Sequence, residues 1–458
     1  MRACDRRDFL TVCATGAIAT MLGRPSSASA QNEVVEQSRL LGLEVLKPNA
    51  RDLAHGLELH SASTVFDVYG FSPNAAVDGE RLADAVKAGA SDIELQDLEE
   101  DMRMTRYVTD AAERAEYLQA WETSGVTCVF QNAGEEGSSP LRLLKRLARF
   151  TYATDHLRDV VSKAVTPDDI VTAKQQGRRC LYFTGNGMPL TGDAVSVADE
   201  LRYVRTFFEL GVRMMHVTYN RRNLLGDGCA ETANGGLSDL GRAAVAEMNR
   251  VGVIVDVAHS GWRTSLEAAQ FSKKPMVASH TSCAALQQHI RAKPDEVIQA
   301  IVDGGGLIGI CAIPHFLGRT GDIAALLDHV DYVVKKFGIE HVGIGTDVGY
   351  RSRNDAVELK KIPPRAKRRT RYEALWPDDA FLPGAEEAKR YPKSRSLAWT
   401  NWPLFTVGLV QRGYSDEQIE KILGINMLRV ARANHRRPVT PCPERSSHGV
   451  TRLLCTRN

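Results

Sequence analysis

The chain has 458 residues, 43% of them hydrophobic and 25% charged, with a formal net charge of +2. That length and core content suit a soluble globular protein built as one large α/β domain with extensions, or as two ordinary domains. The near-balanced charge gives no argument for nucleic acid or for a membrane surface as a partner.

The N-terminus reads as an export signal. Arg6 and Arg7 precede Asp8-Phe9-Leu10, an apolar stretch runs from Leu10 to Leu22, and Ala28-Ser29-Ala30 offers a small-residue cleavage site. Paired arginines followed by Phe-Leu mark residues 1–30 as a twin-arginine signal, which implies a bacterial protein exported folded to the periplasm. The apolar stretch is too short for a membrane span, and none is expected once the signal is removed. Of the nine cysteines, Cys4 and Cys13 fall in the signal, and the rest lack metal-ligand spacing. Cys128, Cys180 and Cys311 sit in apolar runs as small core residues, while Cys442 and Cys455 are placed to pair near the C-terminus.

Residues 31–59 mix polar and apolar positions without a clear period and read as an arm packed on the main domain. Short β-branched runs then follow at 63–69, 126–131, 179–184, 212–218, 251–257, 275–279, 306–312 and 341–346. Helical stretches lie between most of them, such as Asp199–Leu210, Asp239–Arg250, Pro294–Val302 and Ile323–Phe337. Ser238-Asp239 supplies a helix cap, Gly252 a left-handed helix end, and Pro275 a helix stop before a buried strand. Eight strands alternating with helices predict an α/β fold of the (β/α)8 TIM-barrel type over residues 60–435. A doubly wound open sheet is the runner-up, but no GxGxxG follows the first strand. The charged, Pro-rich stretch 348–400 is expected over the barrel mouth, as a lid or a dimer surface. Its basic run at 360–372 reads as a solvated loop. Residues 402–435 form a helical extension, its second helix capped by Ser415, and residues 436–458 read as a disordered tail.

Three residues carry the chemistry. His259 and His280 stand just past apolar runs in VGVIVDVAHSG and KPMVASHTS, and Asp347 does the same in EHVGIGTDVGY. Barrel strands aim their terminal side chains at one mouth, where two imidazoles and a carboxylate suit a divalent metal.

With these motifs, the segments GLSDLGRAAVAEMNRVGVIVDVAHSG, SHTS, HIRAKPDE, GIGTDVGY and GYSDEQIEKILGINMLRV together resemble the membrane dipeptidase family (renal dipeptidase, peptidase family M19) of the amidohydrolases. The resemblance implies a (β/α)8 barrel that binds zinc, usually two ions, and hydrolyses a dipeptide with metal-activated water. It places His259 and His280 on one zinc and makes Asp347 a metal ligand and proton-transfer group. Arg291 becomes the guanidinium that pairs with the substrate carboxylate, a planar anion that its fork fits. A salt bridge from Arg291 to Asp295 is the competing structural reading.

The chain departs from the family at three places. Tyr69 and Phe71 replace the first-strand His-x-Asp ligand pair, Thr184 replaces the bridging glutamate, and Tyr219 replaces a histidine that contacts the substrate carbonyl. Tyr219 keeps a hydroxyl for a developing oxyanion, with Asn220 beside it at the substrate. One metal, zinc or another divalent ion, is therefore expected on His259, His280 and Asp347. A second would need replacement ligands such as Asp67, Glu135 or Glu136. The expected activity is hydrolysis of a dipeptide or similar small amide, with a homodimer compatible with the family. The alternatives are a degenerate periplasmic small-molecule binding protein and a lactonase- or deacetylase-type amidohydrolase.

Overall fold

The structure, a computed structural model, describes residues 32–134, 139–192, 196–365, 375–377 and 384–435. The signal at 1–30, Glu135, Glu136, the basic run from residue 366 onward, Cys442, Cys455 and the tail from 436 lie outside those residues.

All eight expected strands form, and two short ones join them. In chain order they are β1 (Phe66–Gly70), β2 (Cys128–Asn132), β3 (Val161–Lys163), β4 (Arg179–Gly185), β5 (Val212–His216), β6 (Ile254–Asp256), β7 (Val277–Cys283), β8 (Ala292–Lys293), β9 (Leu307–Ile310) and β10 (Val342–Ile344). The sheet runs β1-β2-β4-β5-β6-β7-β9-β10, with β3 flanking β4 and β8 flanking β7, and every pairing is parallel. Parallel strands covered by helices are buried on both faces, which is why they read as nearly continuous apolar runs. Cys128–Asn132 and Val212–His216 are buried at every position. The ends of the sheet meet where Asp347 N donates to Tyr69 O at 2.9 Å and Phe71 N to Val348 O at 3.3 Å. The open doubly wound sheet is thereby excluded in favour of the barrel.

Two glycines set the closeness of the strands at the mouth. A Cβ at Gly309 would fall 1.9 Å from the Ser279 carbonyl oxygen, and one at Gly345 would fall 2.0 Å from the same atom. Only glycine lets both neighbours crowd the strand end that carries His280.

The arm is more ordered than its sequence suggests. It forms helices Glu33–Leu46 and Ala50–Ala62, started by Asn32 and Asn49, whose side chains accept from Val35 N and Asp52 N. The second helix packs on Trp402–Gln411, where a Cβ on Gly56 would meet the Val407 backbone at 2.7 Å. The C-terminal extension continues through Asp416–Glu420, capped by Ser415 with Gln418 as the reciprocal partner, a π turn, and Asn426–Asn434. No helix of the described residues is long and apolar enough to cross a membrane.

His60 ties this extension to the barrel. Its Nε2 donates to Ser124 O at 2.9 Å, and Nδ1 faces the Thr406 hydroxyl at 2.8 Å. Burial keeps the ring neutral, lowering its pKa to about 4. The unfolded chain takes up this proton near the ordinary value of about 6.5, so the stabilisation is whole above that pH and drains away as pH falls toward 4. This one group accounts for roughly 3 kcal/mol of acid destabilisation. We predict that the urea midpoint of the wild type falls more steeply between pH 6.5 and 4 than that of His60→Gln; parallel slopes would reject this role.

Candidate functional site

His259 and His280 meet inside the barrel mouth with their Nε2 atoms 2.9 Å apart. Each Nδ1 is already engaged: His259 Nδ1 donates to Asn220 Oδ1 at 2.7 Å, and His280 Nδ1 faces Ser279 Oγ at 2.8 Å. Burial, and next the charge of Arg291, holds both rings well below the usual histidine range, so both are neutral near pH 7. Two facing neutral nitrogens repel unless a proton or a cation lies between them. Ser279 Oγ can donate or accept and so serves either state. Histidines whose second nitrogen is held by a carbonyl or hydroxyl are the usual metal-binding arrangement. This donor set fits a divalent cation.

A third imidazole joins the pair. One ring nitrogen of His216 lies within 4.8 Å of those of His259 and His280, and all three residues are buried. His216 closes β5, and its Nδ1 donates to Gly185 O at 2.8 Å. Its Nε2 stands 3.0 Å from Asp256 Oδ2, yet neither atom has a well-directed hydrogen bond. The other Asp256 oxygen accepts from Ala258 N at 2.9 Å and Ser279 N at 3.0 Å, the residues just ahead of His259 and His280. One carboxylate therefore sets the ends of both histidine-bearing strands and neighbours the third ring. The sequence reading passed over His216, although a histidine ending a buried apolar strand was the same signal that marked the other two.

The expected third ligand, Asp347, stands outside that cluster of three nitrogens. It sits past β10 in the left-handed region, with φ +57, an uncommon conformation for a residue with a side chain. Its carboxylate makes no hydrogen bond among the described residues. Burial raises its pKa to about 7, and Arg291 partly offsets this. Such a group exchanges protons at neutral pH.

Arg291 is fully buried. Its Nη2 donates to His280 O at 2.9 Å and Nε to Ala258 O at 3.3 Å, leaving Nη1 without a partner. The salt bridge to Asp295 does not form, because Asp295 instead accepts from Tyr332 and Lys336. Phe316 and Trp376 lie over the guanidinium at 5.3 and 5.9 Å. Trp376 also stacks on Phe316 and donates from Nε1 to the Tyr219 hydroxyl at 3.3 Å. Trp376, in the 348–400 segment, thus lies against the residues of the mouth. Tyr219 stacks on His259 with ring centroids 4.1 Å apart. Asn220, expected at the substrate, is fully buried; its Oδ1 orients His259, and its Nδ2 has no partner among the described residues.

The first-strand substitutions are built into the site as packing. Tyr69 stacks on His280 at 3.8 Å and donates to Asn186 Oδ1 at 2.6 Å, with Phe71 edge-on beside it. Thr184 turns its hydroxyl to Met214 O at 3.1 Å. Asp67 does not serve as a replacement ligand. It accepts from Thr346 N at 2.9 Å, Thr346 Oγ1 at 2.6 Å and Trp399 Nε1 at 3.1 Å, while burial still lifts its pKa to about 7. Both of its oxygens are thus engaged within the fold.

The family model for membrane dipeptidases (peptidase family M19) matches residues 74–362. The chain is 29% identical over 279 residues to dipeptidase tcpJ of Claviceps purpurea, covering 60% of this chain and 55% of that protein. It is 30% identical over 241 residues to dipeptidase verJ of Clonostachys rogersoniana, covering 51% of each. The chain thus spans about half the length of the curated relatives it matches. A solved amidohydrolase from Pseudomonas aeruginosa superposes with a TM-score of 0.59 at 27% identity, over 83% of this chain and 98% of that one. A metallo peptidase from Rhodobacter sphaeroides, liganded with a phosphinate mimic of the dipeptide L-Ala-D-Ala, shares the fold with a TM-score of 0.55 at 16% identity, over 81% and 99% of the two chains. With the family match spanning well over half its length, a closed parallel barrel and paired histidines in its mouth, the chain belongs to the membrane dipeptidase family, peptidase family M19.

Proposed function

We propose that this protein is a metal-dependent hydrolase of a dipeptide or similar small amide bearing a free carboxylate, working in the periplasm. The observation that carries the reading is the pair of Nε2 atoms 2.9 Å apart on His259 and His280, each ring anchored through its other nitrogen. These two residues would hold the cation. When bound, a divalent ion makes water nucleophilic at neutral pH and polarises the scissile carbonyl; zinc is the ion we expect. Arg291 turns its unpartnered Nη1 to the substrate carboxylate and fixes the register of the scissile bond. Asp347 takes the proton of the attacking water and returns it to the leaving amine, a task suited to a carboxyl with a pKa of about 7. The Tyr219 hydroxyl donates to the oxygen on which negative charge develops. Trp376 covers the mouth and excludes bulk water.

Assay of the zinc-reconstituted full chain against dipeptides, N-acyl amino acids and lactones tests this reading. Cleavage of dipeptides is expected, with Asp347→Asn lowering kcat by about a hundredfold or more while KM changes little. Turnover of lactones alone, or an unchanged kcat in Asp347→Asn, would overturn it.

A further inference from the structure

Beyond the histidine pair, the mouth holds one more potential ligand atom whose surroundings leave it without a use. His216 Nδ1 is committed as a donor, because it faces the Gly185 carbonyl oxygen, an acceptor, at 2.8 Å. In the neutral ring Nε2 then carries a lone pair, and Asp256 Oδ2, an acceptor as well, stands 3.0 Å from it. Two buried acceptors in contact, neither with a donor, are costly to leave unmatched. A cation beside Nε2 resolves the conflict. The His216 ring also stands edge-on to both other imidazoles, at centroid distances of 5.4 Å from His259 and 5.5 Å from His280. All three side chains rise from consecutive barrel strands β5, β6 and β7, and Asp256 braces the three together.

We propose that His216 is a metal ligand, and that this chain carries a single divalent cation on three histidines in place of the carboxylate-bridged pair of ions its family usually holds. The proposal rests on the metallohydrolase reading for its purpose but stands on its own geometry. The substitutions elsewhere in the mouth agree with it. Thr184 binds a backbone carbonyl where a bridging acid is expected, Asp67 is saturated by Thr346 and Trp399, and Tyr69 lies flat on His280. None of these three positions offers a carboxylate free to bridge a second ion. Three imidazoles are the ligand set of an open site that retains room for water or substrate. Asp347 is thereby released from ligation.

The test is metal binding by the intact chain, independent of turnover. With cobalt(II) as the probe, we expect one ion per chain and the intense visible bands of a low-coordinate site. His216→Gln, close in size and able to keep the Gly185 contact, should weaken cobalt affinity by at least about a hundredfold and bleach those bands. Asp347→Asn should bind cobalt as the wild type does. Should His216→Gln fail to fold, histidine-labelled NMR of the wild type decides: three imidazole resonances, not two, must shift on addition of zinc. Two ions per chain, unchanged affinity and spectrum in His216→Gln, or only two shifted imidazoles would each overturn the three-histidine centre. A wild type that binds one ion through His216 yet cleaves no amide would overturn the dipeptidase reading alone.

Discussion

His259→Ala is expected to lose metal uptake and hydrolysis together. Removing this ring deletes one of two Nε2 atoms held 2.9 Å apart and leaves Asn220 Oδ1 and Tyr219 without the group they orient and cover. A Lewis acid contributes several kcal/mol to the barrier lowering; at 4 kcal/mol, its loss is about a thousandfold in rate. Asn220→Ala provides the graded control, because its side-chain hydrogen bonds among the described residues go to His259 Nδ1 and the Cys229 thiol. A change at this remove typically lowers metal affinity by about ten- to a hundredfold, and excess metal should restore much of the activity. Metal analysis of the purified variants alongside their turnover checks both. Full activity in His259→Ala, or a metal content equal to the wild type, would remove the histidine pair from the chemistry.

The barrel was legible because its physics is local. A strand buried on both faces must be apolar along its whole length, and its ends must be marked by residues such as Gly252, whose φ of +103 closes the preceding helix. The arm was not legible. Its helices are announced chiefly by the single caps Asn32 and Asn49, and they find their packing partners in Ser394–Leu397 and Trp402–Gln411, far away in sequence. The short strands β3 and β8, of three and two residues, carry too few positions to show a period. The site divides the same way. His259 and His280 stand at strand-end motifs and were visible there, while Arg291 came only with the family resemblance. The role of Asp67 depends on Thr346 and Trp399, 279 and 332 residues away, so nothing beside it distinguishes a structural carboxylate from a ligand. His216 failed for another reason. The family pattern drew attention three residues further on, to Tyr219, and the strand-end histidine itself went unweighed.

Arg291 should prove the residue that decides what the enzyme binds. A buried guanidinium normally comes with an acid, since a lone interior charge is costly. Here Nε and Nη2 are held by the carbonyls of Ala258 and His280, and Nη1 has no partner. In the proposed function the substrate's carboxylate would take that place and complete the ion pair under Phe316 and Trp376. Arg291→Lys keeps the charge but gives up the planar fork, so the carbonyl anchors and the carboxylate contact can no longer be made at once. Truncating one side of a buried charge pair costs 2–5 kcal/mol, which sets the expected fall in kcat/KM for free dipeptides at about thirtyfold to several thousandfold. The same substrates with an amidated C-terminus lack the anion. They should be poor for the wild type, and the substitution should cost them much less. The ratio of the two losses is the decisive quantity, because the carbonyl anchors on His280 and Ala258 serve both substrates alike. A selective loss on the free acid places the carboxylate on Arg291. Equal losses would mean that the arginine only braces the strand ends beneath the histidines.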